Sequence, residues 1–444
     1  MTIVIQPSQA TGTVIAPPSK SMAHRQLIAA ALGNEPRAVE NLDLSEDVLA
    51  TIRCLRSLGA TLDRAEGYYP VGGASLLGAE GVSRVVLGGL DPFAVGEPVT
   101  LACGDSASTL RFLLPLALLS GREVTFTGST RLLERPLEPY ERICAQQRLF
   151  YDRQPDHLTV RGPLRPDEFE IQGDVSSQFV TGLFYALPFL AEPSRVAILP
   201  PVGSRPYIDM TLAVLRNYGI RIVGVGNDRY HIPAKQKYRP HPVQVEGDWS
   251  NGAFLQALNY LGGNIRIRGL DELSPQGDKV FGAFLRKMQG KKSVSLDVSD
   301  TPDLCPILMA VAAAGHGVVL DGTRRLQYKE SDRGVAMAQE LEKFGIQTVV
   351  DENRIWVEDG TLQTPTEPLD SHGDHRIAMS LAVLLSLTGG ELRGAESVEK
   401  SWPGFFDVLQ GLGILIEQKE EATTLPVTDT KEDTSHGIFN GSGI

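Results

Sequence analysis

Lys20, Ser21 and Arg25 fall in Pro17-Pro18-Ser19-Lys20-Ser21-Met22-Ala23-His24-Arg25, a stretch that can build an anion site. The two prolines stop any preceding strand, and Ser19 or Ser21 can cap. Leu27, Ile28, Ala31 and Leu32 then recur at helical spacing, so a helix is expected to start here. Its free N–H groups and positive dipole end favour an anion, and Lys20 and Arg25 add full charges within the first turns. The device repeats along the chain. Gly104-Asp105-Ser106-Ala107-Ser108-Thr109-Leu110-Arg111 is a small-residue loop running into an apolar helix, and Ser176-Ser177-Gln178 precedes the apolar run from Phe179. Ser204-Arg205-Pro206, Asp300-Thr301-Pro302-Asp303, Lys329-Glu330-Ser331-Asp332-Arg333, His372-Gly373-Asp374-His375-Arg376 and Lys400-Ser401-Trp402-Pro403 each read as a further helix start. Capping alone does not call for cations there, since the dipole disfavours them. Lys20, Arg25, Arg205, Lys329, Arg333, Arg376 and Lys400, with Arg131 and Arg135, make sense if these helices converge on a polyanion. Empty, such a cluster would repel itself.

The elements that position these residues belong to an ordinary globular chain. Its 444 residues suit two domains, with 42% apolar and 22% charged residues. A net charge of −12 disfavours nucleic acid and acidic membrane as partners, so a local cationic cluster points to small acidic molecules. Cys54, Cys103, Cys144 and Cys305 lack metal-ligand spacing and read as reduced core thiols. The N-terminus does not read as a signal peptide, and the apolar segments near Leu110–Leu119 and Phe179–Ala191 are too short to span a bilayer. A cytoplasmic protein is expected.

A helical segment ending near a glycine and followed by a short strand recurs at Ile52–Leu62, Leu212–Val223 and Met337–Val349. Weaker copies lie at Ile143–Tyr151, Phe284–Leu296 and Phe406–Ile416. The fold expected is α/β, built from a repeated unit with three copies in each of two domains. Pro233–Pro242 reads as one crossing between domains and Pro17-Pro18 as the other. That gives one discontinuous domain of residues 1–18 plus 243–417 and a second of 19–242. Residues 418–444, polar and rich in Gly and Ser at the end, read as a disordered tail.

The segments Pro18-Ser19-Lys20-Ser21, Arg131…Glu134-Arg135-Pro136, Gly173–Phe179, Ser204–Asp209, Lys329–Arg333, Asp374–Met379 and Lys400–Pro403 together resemble the 5-enolpyruvylshikimate-3-phosphate synthase family, in order along the chain. The resemblance implies two domains of three β-α-β-α-β-β units closing on substrates between them. It implies transfer of the enolpyruvyl group of phosphoenolpyruvate to the 5-hydroxyl of shikimate 3-phosphate through a tetrahedral intermediate, with release of phosphate. No metal and no organic cofactor are implied, and a monomer is expected. By the same resemblance, shikimate 3-phosphate is met by Lys20, Ser21, Arg25, Ser176, Ser177, Gln178, Ser204, Asp303, Arg325 and Lys329. Phosphoenolpyruvate is met by Lys20, Asp105, Ala107, Arg131, Gln178, Arg333, Arg376 and Lys400. Asp303 would be the base on the 5-hydroxyl, Glu330 and Lys400 would move the proton at the methylene carbon, and Lys20 would reach both ligands. The family often has Asn, or in some members an acidic residue, where this chain has Asp105, usually Gly where it has Ala107, and in many members Asn where it has Arg325. The added methyl group of Ala107 is expected to weaken inhibition by the longer molecule glyphosate.

The nearest alternative is the related transferase acting on UDP-N-acetylglucosamine, which carries a reactive cysteine on a mobile loop. Residues 121–142, where that loop should fall, contain none. A non-catalytic phosphate-binding homologue would be expected to lack Asp303, Glu330 or Lys400. The His372-x-x-His375 pair has no third ligand nearby in sequence and reads as part of a helix start rather than a metal site. No GxxxxGK[ST] loop is present to suggest a nucleotide-driven kinase.

Overall fold

The computed structural model describes residues 1–63, 83–290 and 294–419. Helix and strand alternate as the recurring phrase requires. The helix Glu46–Leu58 ends at Gly59 (φ +114°) before the strand Thr61–Asp63. Arg333–Lys343 is followed by Gly345 (φ +78°) and the strand Thr348–Val350. Glycine takes this left-handed turn without a Cβ clash. After Glu138–Gln147 the turn is taken by Arg148 instead (φ +56°).

Among the described residues, five small sheets share one strand order. In the clearest, Val99–Ala102 runs parallel to Val124–Thr127, which pairs antiparallel with His157–Arg161 and through it with Phe150–Arg153. Leu101, Phe126 and Leu158 stand side by side in the register and are fully buried, so this face meets the core. Four other sheets repeat the order, around Ser194–Leu199, Arg37–Leu42, Val318–Asp321 and Gly390–Arg393. Among the described residues the sixth holds only the parallel pair Thr11–Ile15 and Asn264–Arg268. The weak copy read at Phe284–Leu296 differs accordingly: its strand, Val294–Asp297, opens the next sheet.

Among the described residues, two hydrophobic cores result. One gathers residues from Met22 to Val245, and the other joins Ile3–Val14 to Ala253–Ile414. At the centre of the first lie the helices Lys20–Ala31, Ala107–Ala117 and Gln178–Ala186. Trp249–Tyr260, Cys305–Ala313 and His375–Thr388 lie at the centre of the second. Most residues of these six helices are buried, polar ones such as His24, Arg25 and Asn251 included. The proline-rich segment Pro233–Pro242 packs on the first core, with Tyr238 stacked on Phe189. Val243–Gln244 then extends the sheet of Arg37–Leu42. The chain therefore passes between the cores a few residues later than the sequence suggested. Ser19 N donates to Glu246 O at 2.8 Å and Asp248 N to Pro17 O at 2.8 Å, so the two crossing segments run side by side. Gln418 and Lys419, read as tail, belong to the strand Leu415–Lys419 paired with Thr2–Gln6. The rest of that expected tail, 420–444, lies outside the described residues.

Candidate active site

All six central helices present their N-termini to one cleft between the cores. Lys20, Ala107, Gln178, Asp248, Asp303 and His375 come from the six starts and line a space of about 940 Å³, part of it open to solvent. Ser19, Ser106, Asp248 and Asp374 accept hydrogen bonds from the first turns of their helices, so local capping chemistry fixes these ends. Among the described residues, the cleft walls carry eight cations, Lys20, Arg25, Arg111, Arg135, Arg325, Lys329, Arg333 and Arg376, against four carboxylates, Asp47, Asp248, Asp303 and Glu330. In a protein of net charge −12 this is a local positive excess, reinforced by six helix dipoles.

The cations do not simply face one another. Arg333, 1% exposed, donates to Asp374 at 2.8 Å, to Asp303 at 2.8 Å and to Glu330 at 2.7 Å. Asp303 also takes Lys329 at 3.0 Å and the Tyr207 hydroxyl at 3.2 Å, with Arg376 at 3.5 Å. Burial pushes the Asp303 carboxyl up, but Lys329, Arg376 and Arg333 together hold it well below the usual carboxylate range. Glu330 is likewise held low, burial being outweighed by Arg333, Arg135, His375 and Lys329. Arg376 keeps one buried guanidinium nitrogen, Nη1, without a protein partner. A buried donor of that kind requires an acceptor, and an anionic ligand in the cleft would supply one.

Of the residues expected to meet shikimate 3-phosphate, Lys20, Ser21, Arg25, Ser176, Ser177, Gln178, Ser204, Asp303, Arg325 and Lys329 all line the cleft. Ala107, Glu330, Arg333 and Arg376 do so as well. Four others, Asp105, Arg131, Lys400 and Arg205, do not. Arg131 is exposed and donates to the carbonyls of Gln327 (2.9 Å) and Lys329 (3.1 Å), tying one core to the other. Lys400 sits at the last residue of the 3₁₀ turn Ala395–Lys400 rather than at a helix start, a position the dipole favours for a cation. Its ammonium is paired with Asp105 at 2.5 Å and donates to Gly373 O at 3.0 Å. Arg205 points away and pairs with Asp228 at the surface. Ser204 is not a side-chain cap: its backbone is left-handed (φ +58°) and its hydroxyl accepts from Arg325 at 2.7 Å.

Sequence reasoning gave no role to several residues of the wall. Arg111 holds Gln178 Oε1 at 2.9 Å, Tyr207 meets Asp303, Asp47 pairs with Lys20 at 2.9 Å, and His375 stands beside Arg376. Arg111 lies one helical turn past Ala107 in the small-residue loop, a signal that was available. Tyr207 lies inside the segment Ser204–Asp209 that carries the family resemblance, whereas Asp47 carries no such signal, because its partner is remote in sequence. His372 turns to Glu340 at 2.8 Å, so the two histidines of the HxxH pair do not converge. No group of three or more His, Cys, Asp or Glu is placed to hold a metal among the described residues. No described helix is long and apolar enough to cross a membrane.

The arrangement of sheets and cleft is that of the enolpyruvyl transferases. The chain superposes on an EPSP synthase structure from Acinetobacter baumannii with a TM-score of 0.73, covering 94% of this chain and 99% of that one at 21% identity. It superposes on the enolpyruvyl transferase NikO from Streptomyces tendae with a TM-score of 0.71 at 16% identity, covering 94% and 98%. The family model for EPSP synthase (3-phosphoshikimate 1-carboxyvinyltransferase) matches residues 4–409. Proteins named 3-phosphoshikimate 1-carboxyvinyltransferase from Clostridium novyi (strain NT) and Clostridium kluyveri are each 36% identical over 94% of this chain and 98% of theirs. The chain belongs to the EPSP synthase family and is a transferase.

Proposed function

We propose that the protein transfers the enolpyruvyl group of phosphoenolpyruvate to the 5-hydroxyl of shikimate 3-phosphate, releasing phosphate. The observation that carries this reading is the local excess of cations at six converging helix starts, which suits two small, multiply charged acids side by side. Ser176, Ser177 and Ser204 are assigned to the shikimate phosphate, with Arg25, Arg325 and Lys329 about it. Lys20 and Gln178 lie between the ligands, and Arg333 and Arg376 face phosphoenolpyruvate. Asp303 takes the hydroxyl proton. Glu330, held as a carboxylate, suits removal of a proton from the methyl carbon, while the Lys400 ammonium suits its delivery. Arg131 and Lys400 would first have to exchange their present partners for the ligand. We read the two cores as two domains moving about the paired crossings, within a cytoplasmic monomer whose cleft is complete in one chain.

Phosphate release from phosphoenolpyruvate, dependent on shikimate 3-phosphate, is the direct test of the purified protein. UDP-N-acetylglucosamine serves as the parallel acceptor and should give none, since all four cysteines are buried and none can serve as a cleft thiol. Turnover with the sugar nucleotide alone would overturn the proposal.

Two residues tune the same pocket. Asp105 offers Lys400 a built-in anion that phosphoenolpyruvate must displace, so Asp105→Asn is expected to lower KM for phosphoenolpyruvate by roughly two- to fivefold, the worth of a partly exposed ion pair. An unchanged or raised KM would show that the pair assists binding. Ala107, the first residue of its helix, is 6% exposed and lines the cleft, and we assign its methyl group to the wall of the phosphoenolpyruvate subsite. Ala107→Gly is expected to strengthen glyphosate inhibition by roughly 10–200-fold, the range set by one methylene-sized mismatch, and to alter phosphoenolpyruvate binding far less. Equal inhibition constants at matched phosphoenolpyruvate saturation would exclude the methyl group as the determinant.

A further inference from the structure

Behind the cleft wall, and not lining it, lies a carboxyl group that the reaction as described does not use. Asp278 follows Gln276-Gly277 in the 3₁₀ turn Gly277–Val280 and is 3% exposed. Its Oδ2 accepts from Ser250 Oγ and lies 3.5 Å from the Tyr207 hydroxyl, which in turn lies 3.2 Å from Asp303 Oδ2. Its Oδ1 is buried without a partner. Tyr207 has one proton and cannot donate to both carboxylates at once. The two acids are thus joined by a single hydroxyl that can donate to one while accepting from the other.

We propose that Asp278 receives, through the Tyr207 hydroxyl, the proton that Asp303 removes from the 5-hydroxyl of the acceptor. This rests on the enolpyruvyl-transfer reading above. As the substrate O–H bond breaks, its electron pair stays on the attacking oxygen and the proton goes to Asp303. That proton passes to Tyr207 Oη while Tyr207's own proton passes to Asp278 Oδ2. Tyr207 is unchanged, Asp303 is again a carboxylate, and Asp278 becomes a neutral acid. The proton returns by the same path to water after product leaves.

The surroundings give the transfer its direction. Asp303 sits among Lys329, Arg333 and Arg376, which makes it a poor place for a proton to rest. Asp278 faces Ser250 and Asp248 from the helix Trp249–Tyr260 and its cap, Tyr207 from the helix Arg205–Asn217, Asp303, and Arg376 from the helix His375–Thr388. Lys279 beside it is exposed and donates to the carbonyls of Glu272 and Ser274. Burial first, then the charge of Asp303, push the Asp278 carboxyl up to about 7, with Arg376 and Ser250 opposing. Two acids whose environments drive them apart in this way suit a donor and a receiver. An orphaned Oδ1 is also less costly on a neutral acid than on a buried carboxylate.

Asp278 can receive a proton only as a carboxylate, so kcat/KM, which reports the free enzyme, should rise as pH climbs through about 7. Substrate ionisation also contributes in this range, and comparison with variants isolates the enzyme's share. Asp278→Asn keeps the shape of the side chain and Tyr207→Phe cuts the link. Each is expected to lower kcat roughly 10–100-fold, as outer partners of a reacting group commonly do, and to remove the same part of the pH limb. The double variant should be no worse than the poorer single one, because the two act in series. If Asp278→Asn does not fold, Tyr207→Phe carries the pH test alone. A limb retained in the folded variants, multiplying losses in the double variant, or Asp278→Asn turnover within twofold of the parent overturns the inference while leaving the reaction standing. An inactive parent overturns both.

Discussion

Asp303→Ala and Glu330→Gln are each expected to cut turnover by roughly 10²–10⁴-fold, the usual loss when a positioned acid–base group is removed. The two should differ in what they do to binding. Asp303 holds Lys329, Arg333 and Arg376, so its removal leaves three cations with one carboxylate fewer and raises the positive excess of the cleft. Phosphoenolpyruvate should therefore bind the Asp303→Ala protein at least as tightly as the parent while turning over far more slowly. Glu330→Gln replaces a charged partner of Arg333 and Arg135 by a neutral one of the same shape. It frees guanidinium charge for the ligand and removes the proton acceptor. Calorimetric binding of phosphoenolpyruvate set beside kcat separates the effects. Near-parent turnover in either variant would refute its assignment, and loss of binding in step with kcat would make its role one of holding substrate.

The second large effect concerns Arg333. Its guanidinium is buried among Asp374, Asp303 and Glu330, so Arg333→Met leaves two of these, Asp374 and Glu330, short of their closest cation. Breaking a buried pair from one side typically costs about 3–5 kcal/mol, more than a surface pair is worth. Urea unfolding should show a loss of that order, and turnover should vanish with it. The pH dependence has a definite sign. Asp303 and Glu330 are depressed in the folded protein, so the stability they contribute is present above their unfolded values, near 4, and is lost as pH falls through the lower folded ones. Without Arg333 both carboxyls move back toward ordinary values, and acid unfolding should begin at higher pH. A variant within about 1 kcal/mol of the parent would mean that Lys329, Arg376 and Arg135 suffice to neutralise the cluster.

Much of the scaffold was legible because it is written locally. Ser19 caps Lys20–Ala31 and Ser106 caps Ala107–Ala117, while glycine ends the recurring helices at Gly59, Gly219 and Gly345. These depend on residues within a turn of one another. The crossing was misplaced by a few residues because Val243–Gln244 has no local feature that separates a linker from the edge strand of a sheet closed by Arg37–Leu42. Ser204 had the sequence of a cap, yet Arg325, 121 residues away, takes its hydroxyl.

By itself the sequence determined that helix starts bearing serine, aspartate and cations recur, and that the chain as a whole is acidic. Helix propensity, capping and charge are properties of short stretches, so they survive without knowledge of the fold. Which cations stand free was decided only by tertiary structure. Arg333 is neutralised by Asp374 and Asp303, 41 residues after it and 30 before it, Lys400 by Asp105 from the other core, and Arg205 by Asp228 outside the cleft. Arg376 alone among the expected phosphoenolpyruvate contacts is left with a buried nitrogen unpaired. A charge acquires its partner, its burial and hence its proton affinity from whatever side chains folding brings within a few ångströms, and no local pattern specifies those.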